Sequence, residues 1–97
     1  MTWEVIYHPD VAVDLEGLGR SEAAGIMRVI DERIRYGEPD KIGKPLHGSL
    51  AGFRRLRTGN MRIIYRVDAG KIRVIVIAAG MRRKHEVYLK AEKRLSH

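Results

Sequence analysis

The stretch from Phe53 to Ala79 limits the fold more than any other part of the chain. It is rich in Val and Ile, and side chains along a strand alternate between the two faces of a sheet. Two pairs, Gly59-Asn60 and Ala69-Gly70, interrupt it with the turn chemistry that joins antiparallel strands. Strands are expected at about Phe53–Thr58, Met61–Asp68 and Lys71–Ala79. With Gly59-Asn60 as the turn, Thr58 faces Met61, Arg57 faces Arg62, Leu56 faces Ile63, Arg55 faces Ile64 and Arg54 faces Tyr65. A turn at Ala69-Gly70 sets Val67 opposite Ile72, Tyr65 opposite Val74 and Ile63 opposite Val76. One sheet face then carries Leu56, Met61, Ile63, Tyr65 and Val67. The other carries Arg55, Arg57, Arg62 and Arg66 over a floor of Ile64, Ile75 and Ile77, and alternation leaves Arg54 off that basic face.

The rest of the chain supplies a cover for the apolar face. Thr2 to His8 reads as a strand, and Pro9-Asp10 ends it and opens a helix. Val11, Leu15 and Leu18 share one helical face, and Gly17 and Gly19 mark its end. Ser21 is the expected N-cap of a second helix, with Ala23, Ile26 or Met27, Ile30 and Ile34 as its apolar stripe. Gly37 to Leu50 reads as a connecting loop, anchored by Leu46 and Leu50. A basic segment, Met81 to Tyr88, follows Gly80, and a short helix is expected from about Val87 to Leu95. The expected fold is α+β: an N-terminal strand and a two-helix hairpin on one face of a mostly antiparallel four-stranded sheet, then a short C-terminal helix. At 97 residues, one domain spanning 1–97 is expected.

Charge narrows the class of partner. Lys+Arg number 19 against 12 Asp+Glu, a net +7, which favours nucleic acid or an acidic protein. There is no cysteine, so disulfides and thiolate metal sites are excluded. His8, His47 and His97 lack metal-ligand spacing and read as structural or exposed, so neither a metal nor a cofactor is expected. Gly37 to Lys44 has the wrong glycine spacing for a phosphate loop, and Pro45 stands where Ser or Thr is needed. The N-terminus lacks the features of a signal peptide, and the longest apolar run, Val74 to Ala79, falls far short of the ~20 residues that span a bilayer. A cytoplasmic protein with no membrane partner is expected.

Arg57 directly opposite Arg62 is informative, because like charges facing each other across strands destabilise a sheet. Arginine suits phosphate: its planar fork donates in pairs and stays charged. Several guanidiniums around one phosphate can stabilise a dianionic transition state. Tyr88 adds a group able to transfer a proton, and guanidiniums beside a phenol favour its anion. RNA brings its own nucleophile, the 2′-hydroxyl, so this chemistry requires no metal. His85 is a further acid–base candidate, histidine being the side chain that titrates near neutrality.

Lys44-Pro45-Leu46-His47-Gly48, Gly52-Phe53-Arg54-Arg55-Leu56-Arg57 and Met61-Arg62-Ile63-Ile64-Tyr65-Arg66-Val67-Asp68 together resemble the RelE/ParE toxin superfamily. The ending, Ala79-Gly80-Met81-Arg82-Arg83-Lys84 through Glu86-Val87-Tyr88, is similar to the RelE branch. The resemblance implies a RelE-like, microbial RNase-like fold. It also implies the toxin of a type II toxin–antitoxin pair, cleaving mRNA in the ribosomal A site by 2′-hydroxyl attack. Its partners would be a cognate acidic antitoxin, that mRNA and ribosomal RNA. By position, Arg62 matches the phosphate-stabilising arginine, Arg82 the arginine after the last strand and Tyr88 the tyrosine proposed as general base. Arg55 stands at a lysine position of the family, and Phe53 at a second one, where the charge is lost. Arg57, Arg83, Lys84 and His85 are the expected RNA contacts. A ParE-like toxin that inhibits DNA gyrase, or a non-catalytic basic nucleic-acid-binding domain, would share the fold.

Overall fold

The central hairpin forms with the expected pairing, and strands at both edges widen it into a mixed sheet. The computed structural model describes residues 2–81 and 85–95. Among the described residues there are five strands: β1 (Glu4–Tyr7), β2 (Lys44–Pro45), β3 (Phe53–Thr58), β4 (Met61–Asp68) and β5 (Arg73–Met81). Their order is β1-β5-β4-β3-β2, with β1 parallel to β5 and the other pairs antiparallel. The α+β class holds, and the expected four strands become five. The extra strand is the two-residue β2, inside the segment expected to be loop. Gly43, at φ +73°, brings it in: a Cβ there would lie 2.8 Å from the Arg55 carbonyl oxygen.

Helices α1 (Val11–Leu18) and α2 (Arg20–Val29) form the expected hairpin. Ser21 is not the N-cap of α2. Gly19 ends α1 and starts α2, because its φ of 90° turns the chain within a single residue. A π-helical stretch, Ile30–Arg35, prolongs α2. Apolar residues spaced by four over-rotate on a helix of 3.6 residues per turn. The wider turn reverses that drift, and Ile26, Ile30 and Ile34 are all buried.

The β3–β4 register agrees with expectation at every pair from Arg54↔Tyr65 to Thr58↔Met61. The β4–β5 register does not. Val67 pairs with Val74 and Tyr65 with Val76, two positions further along than expected. The chain does not use Ala69-Gly70 as a two-residue turn; it makes a 3-10 turn over Ala69–Lys71 with Ile72 left-handed at φ 50°. A shift of two residues preserves faces, so the apolar side survives. A bulge then follows between Ile64 and Tyr65: Ile64 pairs with Ala78, leaving Ile77 as the extra residue.

Two apolar cores result, one on each face. Trp3, Val11, Ile26, Ile30 and Ile34 pack with Leu56, Ile63, Tyr65, Val74 and Val76. On the opposite face α3 (Glu86–Leu95) lays Val87 and Ala91 on Phe53, Ile64, Ile77 and Ala78, with Leu50 beside them. The C-terminal helix thus covers part of the sheet face expected to be basic and open. The helix passes close to Gly80, where a Cβ would meet Val87 Cβ at 3.5 Å, an ordinary van der Waals contact. No helix among the described residues is long and apolar enough to cross a membrane.

Because β1 is short, the outer edge of β5 is left without a strand beyond Val76. Side chains take over there. The Ala79 N–H donates to Asp14 Oδ2 at 3.1 Å, and Arg94 Nη1 donates to the Ile77 carbonyl at 2.9 Å. Arg94 also grips Asp14 with both amino groups, Nη1 to Oδ2 at 2.6 Å and Nη2 to Oδ1 at 2.8 Å. One buried pair thereby satisfies the strand edge and ties α1 to α3. Burial alone would raise the Asp14 pKa. The Arg94 hydrogen bond, the Ala79 N–H and the Arg94 and Lys90 charges outweigh it, and the carboxyl is held below the usual range.

Asp14→Asn is expected to destabilise the chain at neutral pH, toward the lower end of the about 3–5 kcal/mol that breaking a buried ion pair costs. A depressed folded pKa contributes stability above the unfolded value of ~3.9 and loses it as pH falls through the folded value. Thermal melts of parent and variant should therefore differ at neutral pH and converge in acid below that value.

Candidate active site

Lys44, Arg55, Arg57 and Arg62 line a cleft of about 590 Å³. Its floor and one wall come from the sheet: Arg55 and Arg57 on β3, Arg62 on β4 and Met81 at the end of β5. The second wall is α3 and the residue before it, with His85, Val87 and Tyr88. The third wall is Lys44, Pro45, Leu46 and His47, from β2 and the turn after it.

Register places the charges side by side. Lys44 pairs with Arg55 across β2–β3, and Arg57 pairs with Arg62 across β3–β4. Arg62 in turn pairs with Gly80, which has no side chain to share its space. Arg62 is 8% exposed and therefore reaches the cleft from a buried position, whereas Arg57 is exposed. Arg55 Nη1 donates to Tyr88 Oη at 3.1 Å, joining β3 to α3. His85 leans on the same phenol, with ring centroids 5.9 Å apart and planes tilted by 50°. His85 has a φ of 61°, and its carbonyl accepts from the Tyr88 and Leu89 N–H groups, so it sets where α3 begins.

Among the expected site residues, Arg55, Arg57, Arg62, His85 and Tyr88 meet in this cleft. Arg82, Arg83 and Lys84 lie outside the described residues. Arg54 is on the opposite face, as alternation requires, where its Nε donates to the Ile42 carbonyl at 2.8 Å. Phe53 shares the face of Arg55 but does not line the cleft. It is buried beneath α3, with the Arg66 guanidinium 6.0 Å from its ring centre. Two cleft residues are ones that the sequence does not single out. His47 reads there as structural or exposed, and Lys44 stands only within a motif. The signal for Lys44 is the glycine before it, which lets β2 approach β3.

Four cations and a phenol around an open cleft suit a polyanionic ligand that presents one phosphate at a time. Among the described residues, no cluster of three or more His, Cys, Asp or Glu side chains is placed to hold a metal ion. Fold and cleft together define a small α+β protein of RelE-like architecture with a cationic, phenol-bearing groove at the sheet edge.

Comparison with known proteins places it further. Residues 5–85 match the family described as ParE toxin of type II toxin–antitoxin system, parDE. The chain is 33% identical over 66 residues to Toxin RelE of Mycobacterium tuberculosis (strain ATCC 25618 / H37Rv), covering 68% of this chain and 67% of that protein. It is similar to the crystal structure of the toxin–antitoxin complex RelBE2 from Mycobacterium tuberculosis, with TM-score 0.78, 27% identity and coverage of 84% of this chain and 93% of that one. A mutant of the E. coli toxin RelE in the free state shares the fold, with TM-score 0.73, 24% identity and coverage of 98% of this chain and 99% of that one. This chain belongs to the RelE/ParE superfamily of type II toxin–antitoxin toxins.

The opposed Arg57 and Arg62 set folding against binding. Arg57→Gln should stabilise the chain by about 0.2–1 kcal/mol in urea melts. The same change should weaken binding of a single-stranded RNA in anisotropy titrations and make the salt dependence shallower, by roughly 0.7 in log–log slope for each phosphate that Arg57 neutralises.

Proposed function

We propose that this toxin is an endoribonuclease that cuts mRNA in the ribosomal A site, using the RNA 2′-hydroxyl as nucleophile. The observation that carries this reading is the Tyr88 hydroxyl, 3.1 Å from Arg55 Nη1, in a cleft that Arg57 and Arg62 also line. A phenol held by one guanidinium, beside others that can meet phosphate oxygens, is the arrangement that a 2′-hydroxyl attack needs.

The 2′-oxygen attacks the adjacent phosphorus, and Tyr88, as general base, takes the departing proton on its phenol oxygen. Arg62 and Arg57 hold the non-bridging oxygens as negative charge builds on them. The bond from phosphorus to the 5′-oxygen breaks, and that oxygen takes a proton. The products are a 2′,3′-cyclic phosphate and a 5′-hydroxyl, with no water consumed. The resemblance assigns the leaving-group proton or charge to Arg82. His85, against the Tyr88 ring, is a further group in the cleft able to carry a proton.

Lys44 and His47 line the same cleft as Tyr88, and in this reading they contact the strand beside the cut. Arg83 and Lys84, which the resemblance makes basic contacts, are the proposed partners of ribosomal RNA. The net charge of +7 fits an acidic antitoxin. The toxin in the RelBE2 complex, to which this chain is similar, is paired with an antitoxin.

The family description also names ParE, which favours gyrase inhibition as the second reading. Inducing the chain and mapping mRNA 5′ ends, with gyrase followed in parallel, separates the two. Codon-phased cuts are expected. Trapped gyrase cleavage complexes without such cuts would replace the first reading with the second. In ribosome-bound cleavage assays Tyr88→Phe should lower the rate by about 10²–10⁴-fold with little change in RNA affinity. Arg62→Ala should lower the rate by about 10²–10³-fold and weaken affinity too.

A further inference from the structure

We propose that Asp14 and Arg94 are positioning residues for Tyr88: their ion pair sets the register of α3 against the sheet, and so holds the phenol at Arg55. The inference rests on the reading of Tyr88 as the proton acceptor.

Tyr88 stands near the start of α3 and Arg94 near its end. The helix meets the sheet through Val87, just before Tyr88, and Ala91 on Ile64, Ile77 and Ala78, a smooth apolar contact. Such contact is non-directional, so it holds the helix down without fixing its rotation or its position along its own axis. The hydrogen bond to Arg55 is one contact on a cleft wall, and the Ser49 Oγ bond to Glu92 Oε2 and the Lys90 Nζ contact with Asp14 Oδ1 use exposed side chains of α3, so these cannot supply that fix alone. Arg94 can. It donates to both Asp14 oxygens, at 2.6 and 2.8 Å, and to the Ile77 carbonyl at 2.9 Å. Asp14 is itself fixed by the Ala79 N–H at 3.1 Å. The Asp14 side chain is 1% exposed and that of Arg94 10%, so water competes little for either.

The geometry makes α3 sensitive. A helix advances 1.5 Å per residue. A slip of one residue would move the Tyr88 oxygen from 3.1 Å to beyond hydrogen-bond reach of Arg55. Arg57 and Arg62 stand on the sheet and stay in place. Loosening the pair should therefore reduce the rate of the chemical step and leave RNA binding almost unchanged. An effect on folding alone would move both together.

The test uses the full chain labelled with 3-fluorotyrosine, the Tyr88 signal being assigned by its absence in Tyr88→Phe. Arg94→Gln removes the paired donors, and Arg94→Lys keeps the charge should the first variant fail to fold. Ile26→Val, in the core under the other face, controls for reduced stability. In both Arg94 variants the Tyr88 resonance should shift, and cleavage at saturating substrate should fall on the order of 100-fold for the glutamine form, less for lysine. RNA affinity should stay within about twofold of the parent, and Ile26→Val should match the parent in resonance and rate. An unmoved Tyr88 resonance with parental cleavage in the Arg94 variants would overturn the proposal. So would parallel falls in rate and affinity in those variants and in Ile26→Val. A parent that does not cut RNA, while the Tyr88 resonance still responds to Arg94, would remove the nuclease reading and leave the positioning role standing.

Discussion

The outer edge of β5 is where this fold must solve a problem that its sheet cannot. The parallel strand β1 covers β5 only as far as Val76, and the strand runs on to Met81. An uncovered edge leaves backbone groups unsatisfied or open to another chain. Asp14 and Arg94 meet both needs by bonding the Ala79 N–H and the Ile77 carbonyl. Since one comes from α1 and the other from α3, the same pair closes the sheet and fastens the helices that cover its two faces. The cleft inherits that arrangement, because Tyr88 rides on the helix so fastened.

The basic face is a compromise between two demands. Folding asks that a sheet face be covered, and α3 covers the half that carries Phe53, Ile64, Ile77 and Ala78. The proposed phosphate recognition asks that cations remain reachable, and Arg55, Arg57, Arg62 and Lys44 line the cleft beside α3. Phe53 belongs to the first demand. A lysine there would sit beneath a helix, whereas the ring packs with Val87 and Ala91. Loss of charge at that position is thus a gain of floor for the helix that brings Tyr88. The cations of the cleft lie on β2, β3 and β4, so the charge is set by strand register and the phenol by helix docking.

Much of this was legible in the sequence, and what was hidden has a common cause. Alternation and the Gly59-Asn60 turn place Arg55, Arg57 and Arg62 on one face and Arg54 on the other, as observed. The β5 register is off by two because Ile72 takes a left-handed conformation that no β-branched residue advertises. The Ile77 bulge sits within a continuous apolar run, where an extra residue breaks no visible period. Strand β2 is two residues long and carries no pattern at all. Asp14 and Arg94 are 80 positions apart, and each reads as an ordinary charge on an amphipathic helix. Local pattern reveals local pairing; contacts that depend on where two distant elements come to rest leave no trace in either.

The proposed attack of the RNA 2′-hydroxyl on phosphorus would leave a chemical signature on the product. That signature is the end of the upstream fragment, read by mass spectrometry, from mRNA programmed in the A site. The same message with 2′-deoxyribose at the cut position is run beside it. Attack by the 2′-hydroxyl predicts a 2′,3′-cyclic phosphate from the first and no cleavage of the second. A 3′-hydroxyl end, or equal cutting of the deoxy-substituted message, would contradict it.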